Sequence, residues 1–191
     1  MDKEFDKEYW QILWSRYRRG DHEAFAILYN LHIDQLYHYG TKLCKDSDAL
    51  KDSLQELFLE LFLNRERIRT MPENLKYYLM LALKRNLVRK LKAGKLAMHY
   101  PEKSLEFEPE YNIEFKIIEQ ENEEEIHNIL MNALKKLPSK QKEAIYLRFN
   151  ESLEYTEIAN ILEITVESVR KQIHRAIKTI RKIIRTNPNT N

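Results

Sequence analysis

The sequence predicts an all-α fold of two small helical domains joined by an acidic, flexible linker. Several stretches repeat apolar residues at the three-and-four spacing of an amphipathic helix, and no alternating strand pattern stands out. Only 3 glycines and 5 prolines in 191 residues leave few positions for sharp turns. We place the domains at residues 1–95 and 126–187, with the linker at residues 96–125.

The first domain begins with an amphipathic helix that carries Trp10, Trp14 and Tyr17. Asp21 then caps a predicted helix from His22 to about Asn30, because a carboxylate at that position accepts hydrogen bonds from the first free amides. A second helical stretch is predicted over residues 33–43.

Two longer helices complete this domain. Ser47 or Asp48 opens the first of them, which runs through Phe62 with an inward side of Leu50, Leu54, Leu57, Phe58, Leu61 and Phe62. A polar loop covers residues 64–74. The last helix extends from Leu75 to about Lys92 and is apolar at Leu79, Leu83, Leu87 and Leu91. Together these helices predict a bundle of about ninety residues, which is enough to bury its own core.

The linker differs sharply in charge from its neighbours. Residues 100–125 carry ten glutamates against two lysines, together with Pro101 and Pro109. Residues 84–95 carry six basic side chains and no acidic one. We therefore expect a tether that is largely disordered until bound, with a helix starting near Ile117. For residues 117–130 a solvated acidic helix is the alternative.

The second domain contains a helix-turn-helix pattern. A short amphipathic helix, Thr156 to Leu162, meets a turn at residues 163–165, and a basic helix follows from Val166 with Thr165 as its N-cap. One stripe of this helix is apolar: Val166, Val169, Ile173, Ala176, Ile177, Ile180 and Ile184. The other side is basic: Lys171, His174, Arg175, Lys178, Arg181, Lys182 and Arg185. A basic face is often only solvated, but after this turn it predicts contact with the major groove of DNA.

Enzymatic functions find little support in the residues. The 6 histidines show no metal-ligand spacing, and none of the 3 glycines forms a phosphate-binding loop. Cys44, the single cysteine, is predicted to be a small apolar residue rather than a reactive thiol. No signal core or membrane-spanning run is present, which favours a cytoplasmic protein. We predict a protein that is not an enzyme and that needs no cofactor or metal.

Several motifs carry a family resemblance that extends from about Trp14 to Lys182. Residues 20–25 read GDHEAF, residues 52–58 read DSLQELF, residues 137–141 read LPSKQ, and residues 155–159 read YTEIA. In this order and spacing, they resemble regions 2 and 4 of the short, extracytoplasmic-function (ECF) sigma factors of the sigma-70 superfamily. The stretch from Trp14 to Leu63 is also similar to factors common in Bacteroidetes.

The resemblance implies a dissociable initiation subunit of bacterial RNA polymerase. Region 2 would bind the clamp coiled coil of the largest subunit, and would read and open the promoter −10 element. Region 4 would read the −35 element and touch the flap of the second-largest subunit. Factors of this type are commonly held by an anti-sigma protein, often membrane-anchored. The polymerase-binding residues would be Asp52, Gln55, Glu56, Phe58 and Glu60. For Phe58, simple core packing is the alternative.

The resemblance also assigns the DNA-binding residues. The −10 set combines rings with cations, as single-stranded DNA requires, and consists of Tyr77, Tyr78, Lys84, Arg85, Asn86, Arg89 and Lys90. Residues 64–74 form the loop in which family members capture a flipped base. The −35 set reads the groove with Arg170, Lys171, His174 and Arg175, and it meets phosphate with Lys178, Arg181 and Lys182.

Departures from the family and two rival functions remain open. The tryptophan common in the region 2 melting helix corresponds to Tyr78, and a common asparagine aligns with either Arg85 or Asn86. The family often has glycine in the helix-turn-helix turn, where this chain has Glu163, so we expect that turn to differ slightly. A stand-alone helix-turn-helix regulator would explain the second domain but not the motif at residues 52–58. An anti-sigma or adaptor protein, the other rival, would not need two basic helices.

Overall fold

The described part of the chain consists of helices joined by short turns. The computed structural model describes residues 7–68, 71–94, 105–108 and 129–186. They belong to two compact units, Met1–Leu105 and Glu106–Asn191. The first holds α1 (Lys7–Arg18), α2 (His22–Leu43), α3 (Ser47–Leu63) and α4 (Leu75–Lys92). These described ranges contain no strand, which confirms the all-α class.

The second unit is built from shorter helices around one long one. Residues 129–135 are helical. They are followed by α5 (Ser139–Ile145), a π-helical turn (Tyr146–Asn150), α6 (Tyr155–Leu162) and α7 (Val166–Arg185). Both α5 and α6 pack on α7. None of the helices in the described residues is long and apolar enough to cross a membrane.

Acidic and amide side chains set the helix starts of the first unit. Asp21 caps α2 as predicted, accepting hydrogen bonds from the amides of Glu23 and Ala24 at 2.9 and 3.2 Å. Arg16 Nε lies 2.7 Å from Asp21 Oδ2, and this hydrogen bond lowers the pKa of the Asp21 carboxyl. The cap of α3 is Asp46, so that Ser47 is the first helical residue.

The predicted break between Asn30 and Ile33 is wrong, because α2 is one continuous helix of 22 residues. Leu31 and His32 fill the gap, and neither removes a backbone donor as proline would or loosens the backbone as glycine would. The continuous helix contributes Ala24, Leu28, Leu36 and Tyr39 to the core.

Aromatic rings and leucines fill the core of the first unit. Tyr17 is fully buried, and its hydroxyl donates to the Leu61 carbonyl at 2.6 Å, while burial raises the pKa of Tyr17 to about 12. The Phe25 ring contacts the rings of Phe58 and Phe62. The predicted leucine stripe of α4 is buried throughout. Phe62, predicted to point inward, is only half-buried.

Part of the predicted linker packs on the second unit. Phe107 is 1% exposed, its amide donates to Ser139 Oγ at 2.7 Å, and its ring centroid lies 5.4 Å from that of Tyr146. The rest of the predicted linker, including the helix predicted near Ile117, lies outside the described residues. The acidic stretch therefore contains at least one anchored point.

The helix-turn-helix forms with small shifts at its ends. The first helix starts at Tyr155, one residue before the predicted start, because Glu154 and Glu157 form a reciprocal capping box. Thr165 caps α7 as predicted and accepts from the Ser168 amide at 3.2 Å. Within the predicted apolar stripe, Val169, Ile173 and Ala176 are buried. The remaining members are half-buried: Val166, Ile177, Ile180 and Ile184.

The expectation that the turn would differ because of Glu163 is wrong. Glu163 adopts the left-handed conformation with φ 54° and ψ 44°, the geometry that glycine adopts freely. The amides of Glu163 and Ile164 both donate to the Ala159 carbonyl, which closes the end of α6. These bonds and the N-cap of α7 two residues later, Thr165, hold Glu163 in a strained backbone conformation.

We predict that Glu163→Gly stabilises the second unit by about 1 kcal/mol, because glycine removes the clash of Cβ with the backbone. Native-state hydrogen exchange at the amides of α6 and α7 measures the change. Lys178→Gly, in the exposed middle of α7, is the matched control and should destabilise by about 1 kcal/mol. If both substitutions destabilise the unit, Glu163 is not strained.

Candidate functional site

The predicted −35 residues lie together on α7. Every one of them is exposed: Arg170, Lys171, His174, Arg175, Lys178, Arg181 and Lys182. The buried stripe of Val169, Ile173 and Ala176 orients the helix so that this basic face points to solvent. Lys171 Nζ lies 3.5 Å from Glu167 Oε1. The lysines and arginines from Arg175 to Lys182 form no ion pair within the described residues, so their charges are available to phosphates.

The predicted polymerase-binding residues share one side of α3, apart from Phe58. Asp52, Gln55 and Glu60 are exposed, and Glu56 is half-exposed. Phe58 is 3% exposed and its ring contacts those of Phe25 and Tyr29. In this structure, Phe58 is therefore a core residue.

Two apolar residues on the same side of α3 were missed from the sequence. Leu59 and Leu63 are 58% and 64% exposed. They follow Gln55 at successive four-residue steps, so they continue the polar strip along one helix face. They, and not the buried Phe58, are the apolar residues exposed on this face. The four-residue spacing from Gln55 could have indicated that these leucines are exposed, but a leucine in a helix is usually a core residue.

The predicted −10 residues of α4 divide into exposed and buried groups. Tyr78, Arg85 and Arg89 are exposed, while Tyr77 and Lys84 are half-buried. Asn86 and Lys90 are only 6% and 8% exposed. The structure thus presents part of the set to solvent and holds the other part against α3.

Glu56 connects α3 to the buried pair on α4. Its Oε1 lies 3.1 Å from Lys90 Nζ, and its Oε2 accepts a hydrogen bond from Asn86 Nδ2 at 3.2 Å. Arg89 Nη2 lies within 4.0 Å of Glu56 and 3.8 Å of Glu60. The hydrogen bond from Lys90, followed by that from Asn86, lowers the pKa of Glu56. The two predicted binding sets of the first unit are therefore in direct contact.

A pocket lies beside this network, between α3, α4 and the chain that follows α3. It has a volume of about 200 Å³ and is lined by Leu57, Glu60, Leu61, Asn64, Ile68, Tyr78, Leu79, Ala82 and Asn86. Asn86 Oδ1 is buried and has no hydrogen-bond partner within the described residues. An apolar cavity of roughly 150 Å³ accommodates a benzene ring in another protein, so this one has room for a single planar ring.

Other reactive groups are few in the described residues. No cluster of three or more His, Cys, Asp or Glu side chains that could hold a metal ion occurs among them. Cys44 is 3% exposed, and its thiol donates to the Asp46 carbonyl at 3.4 Å. Tyr146 has a raised pKa because it is buried and hydrogen-bonded to Glu151. None of these groups lies in the predicted binding sets.

We predict that Glu56→Gln destabilises the first unit by about 1 kcal/mol at neutral pH, because it leaves the buried Lys90 ammonium without a charged partner. A fully buried pair would cost several-fold more to break, but the Glu56 side chain is 45% exposed and screened by solvent. Urea unfolding followed by the fluorescence of Trp10 and Trp14 measures the difference.

The pH dependence of this difference follows from the lowered pKa of Glu56. The stabilisation is fully present above the ordinary glutamate pKa of about 4.3, and it is lost as pH falls through the folded-state pKa. Wild type and Glu56→Gln should therefore converge in acid. Glu60→Gln is the control and should change little, because it neutralises a carboxylate on a side chain that is 61% exposed and 3.8 Å from Arg89. A pH-independent difference would contradict the pairing.

Comparison with known proteins gives matches to both units. A model of sigma-70 region 2 matches residues 28–96, and a model of sigma-70 region 4 matches residues 127–180. Together these matches span more than half of the chain. The chain is 24% identical over 179 residues to the ECF RNA polymerase sigma factor SigW of Bacillus subtilis strain 168, and the alignment covers 88% of this chain and 92% of SigW.

Two solved structures share the fold. One is the sigma factor RpoE in complex with the anti-sigma factor NepR from Bartonella quintana. It is 18% identical with a TM-score of 0.57, and the match covers 85% of this chain and 98% of that one. The other is CnrH in complex with the cytosolic domain of CnrY. It is 17% identical with a TM-score of 0.53, and the match covers 92% of this chain and 97% of that one.

Proposed function

Because the chain belongs to the sigma-70 family of RNA polymerase sigma factors, we propose that it acts as an ECF-type sigma factor, which directs core polymerase to promoters and opens the DNA there. The observation that carries the proposal is that one chain joins an acidic strip and a basic aromatic helix in its first unit to an exposed basic helix-turn-helix in its second. A stand-alone regulator would need only the second. The protein would work in the cytoplasm without catalytic chemistry or a cofactor of its own.

In this proposal the exposed side of α3 binds core polymerase. Asp52, Gln55 and Glu60 supply acceptors for a basic coiled coil, and Leu59 and Leu63 supply the apolar contact. Interface energy concentrates in a few residues that become desolvated, and the exposed leucines are suited to this role. Phe58 packs in the core behind this face of α3, and Glu56 forms an ion pair with Lys90.

The −10 element would meet α4 and the adjacent pocket. Tyr77 and Tyr78 offer stacking surfaces, while Lys84, Arg85 and Arg89 neutralise phosphates. A flipped base would enter the 200 Å³ pocket that Tyr78 lines, where Asn86 Oδ1 is an acceptor for an exocyclic amino group. Lys90 would reach DNA only after leaving Glu56.

The −35 element would meet the exposed side of α7. Arg170, Lys171, His174 and Arg175 lie in the first half of the helix, where side chains of a recognition helix contact base edges. Lys178, Arg181 and Lys182 lie further along and would contact phosphates. The domain limits proposed from the sequence, residues 1–95 and 126–187 about a linker at 96–125, keep each of these surfaces on a separate domain.

Regulation is proposed from the partners of the structural relatives. RpoE and CnrH were solved with the anti-sigma factor NepR and the cytosolic domain of CnrY, respectively. We propose that an anti-sigma protein, of the often membrane-anchored kind, also binds the present chain. The likeness of residues 14–63 to factors common in Bacteroidetes remains a prediction.

We predict that promoter binding requires core polymerase. Each unit offers a short contact with DNA, and without a scaffold the second contact gains little effective concentration from the first. Promoters obtained by mapping transcripts after overexpression of the chain provide the probe. An anisotropy titration at physiological salt should show weak binding by the chain alone and sequence-specific binding with core enzyme. Tight, specific binding by the chain alone would favour the stand-alone regulator.

The double variant Asp52→Ala/Gln55→Ala tests the polymerase contact. It should weaken binding to core by about 2 kcal/mol, the usual cost of losing an interface hot spot. Glu56 is left intact because its loss would also disturb Lys90. Gln35→Ala, an exposed glutamine on α2, is the control and should bind normally. Unchanged core binding by the double variant would place the contact elsewhere.

Base reading and phosphate contact can be separated on α7. Arg175→Ala should cost roughly 1–3 kcal/mol of promoter affinity and relax the preference at one position, as expected for a base contact. Lys182→Ala should weaken all sequences alike, as a phosphate contact does. Competition among promoter variants bound by holoenzyme measures both effects. A uniform loss for Arg175→Ala would assign it to the DNA backbone.

A further inference from the structure

Two arginines share one aromatic ring where the helix-turn-helix begins. The Cζ atom of Arg148 lies over the ring of Tyr155 at 5.0 Å from its centroid, and the Cζ of Arg170 lies over the same ring at 5.7 Å. Arg148 belongs to the π-helical turn, Tyr155 is the first residue of α6, and Arg170 lies in the second turn of α7. The ring thus links the element before the motif to its DNA-reading helix.

Arg148 is fixed by its own contacts. Its Nη1 donates to the Leu153 carbonyl at 2.8 Å and lies 3.3 Å from Glu154 Oε1. Its side chain is only 30% exposed. The carboxylate of Glu154 offsets its charge, so Arg148 is suited to support the ring rather than to bind DNA.

The environment of Arg170 differs from that of Arg148. It is exposed and forms no ion pair within the described residues, so its charge is not offset there. An exposed arginine samples many rotamers, and ordering them on binding reduces the affinity it can provide. Contact with a ring face restricts those rotamers and leaves the guanidinium edge free to donate to guanine or phosphate.

We propose that Tyr155, supported by Arg148, is a positioning residue that holds Arg170 ready to read promoter DNA. The proposal rests on the proposed function, in which the exposed side of α7 reads the −35 element. The proposal gives specific roles to Arg148 and Tyr155, which lie outside the basic face of α7. It also explains why an arginine suits position 170, since the compact ammonium of lysine lacks the planar surface that stacks on a ring.

A double-mutant cycle on holoenzyme tests the proposal. Promoter affinity is measured by anisotropy for wild type, Tyr155→Leu, Arg170→Ala and the double variant. Tyr155→Leu should lower the affinity about 2- to 5-fold, the change expected for loss of a cation–π contact. The same substitution should have no effect in the Arg170→Ala background. Tyr155→Phe keeps the ring face and should bind as wild type does.

A structural role for Tyr155 would give a different pattern. Equal losses in both backgrounds, or no loss in either, would overturn the proposal, as would a Tyr155→Phe variant as weak as Tyr155→Leu. If Arg170→Ala leaves affinity unchanged while Arg175→Ala weakens it, the proposal fails and the proposed function stands. If wild-type holoenzyme shows no promoter-specific binding, the proposed function itself fails.

Discussion

The ion pair between Glu56 and Lys90 is the constraint on which the first unit depends. Lys90 is only 8% exposed, and a buried ammonium is costly unless a carboxylate compensates it. Glu56 provides that charge and also accepts from Asn86. One side chain of α3 therefore fixes how two residues of α4 are held. Because α3 and α4 carry the proposed polymerase and −10 surfaces, both surfaces share this contact.

Local rules predicted most helix starts and the faces of the long helices. Asp21 and Thr165 cap as their side-chain chemistry predicts, and the α4 leucines are buried at the expected spacing. The errors arose where local signals were weak or were overruled by neighbouring structure. The break predicted near Leu31 does not occur, because neither Leu31 nor His32 interrupts α2. Glu163 adopts a conformation against its preference because the hydrogen bonds that end α6 require it.

The candidate site was less predictable than the fold, because burial depends on residues that are distant in sequence. The motif at residues 52–58 indicated a helix face, but not that Phe58 packs against Phe25 and Tyr29. A basic stretch in α4 likewise could not reveal that Lys90 is turned toward Glu56. The contact of Arg148 and Arg170 with Tyr155 joins three elements, so no single periodicity predicts it. The residue types could be read from the sequence, whereas the packing of the helices determines which of these side chains are accessible.

The two proposed DNA surfaces therefore use cations differently. In α4, Lys90 is paired and buried, and the neighbouring pocket offers the ring of Tyr78 and the oxygen Asn86 Oδ1, which has no partner among the described residues. In α7, the lysines and arginines from Arg175 to Lys182 are exposed and form no ion pair within the described residues. Each phosphate neutralised by a free cation releases counterions, so salt weakens binding more at the surface with more exposed cations, which is that of α7. Affinity of the second unit should accordingly respond to salt more strongly, while the first unit contributes selectivity for an unstacked base.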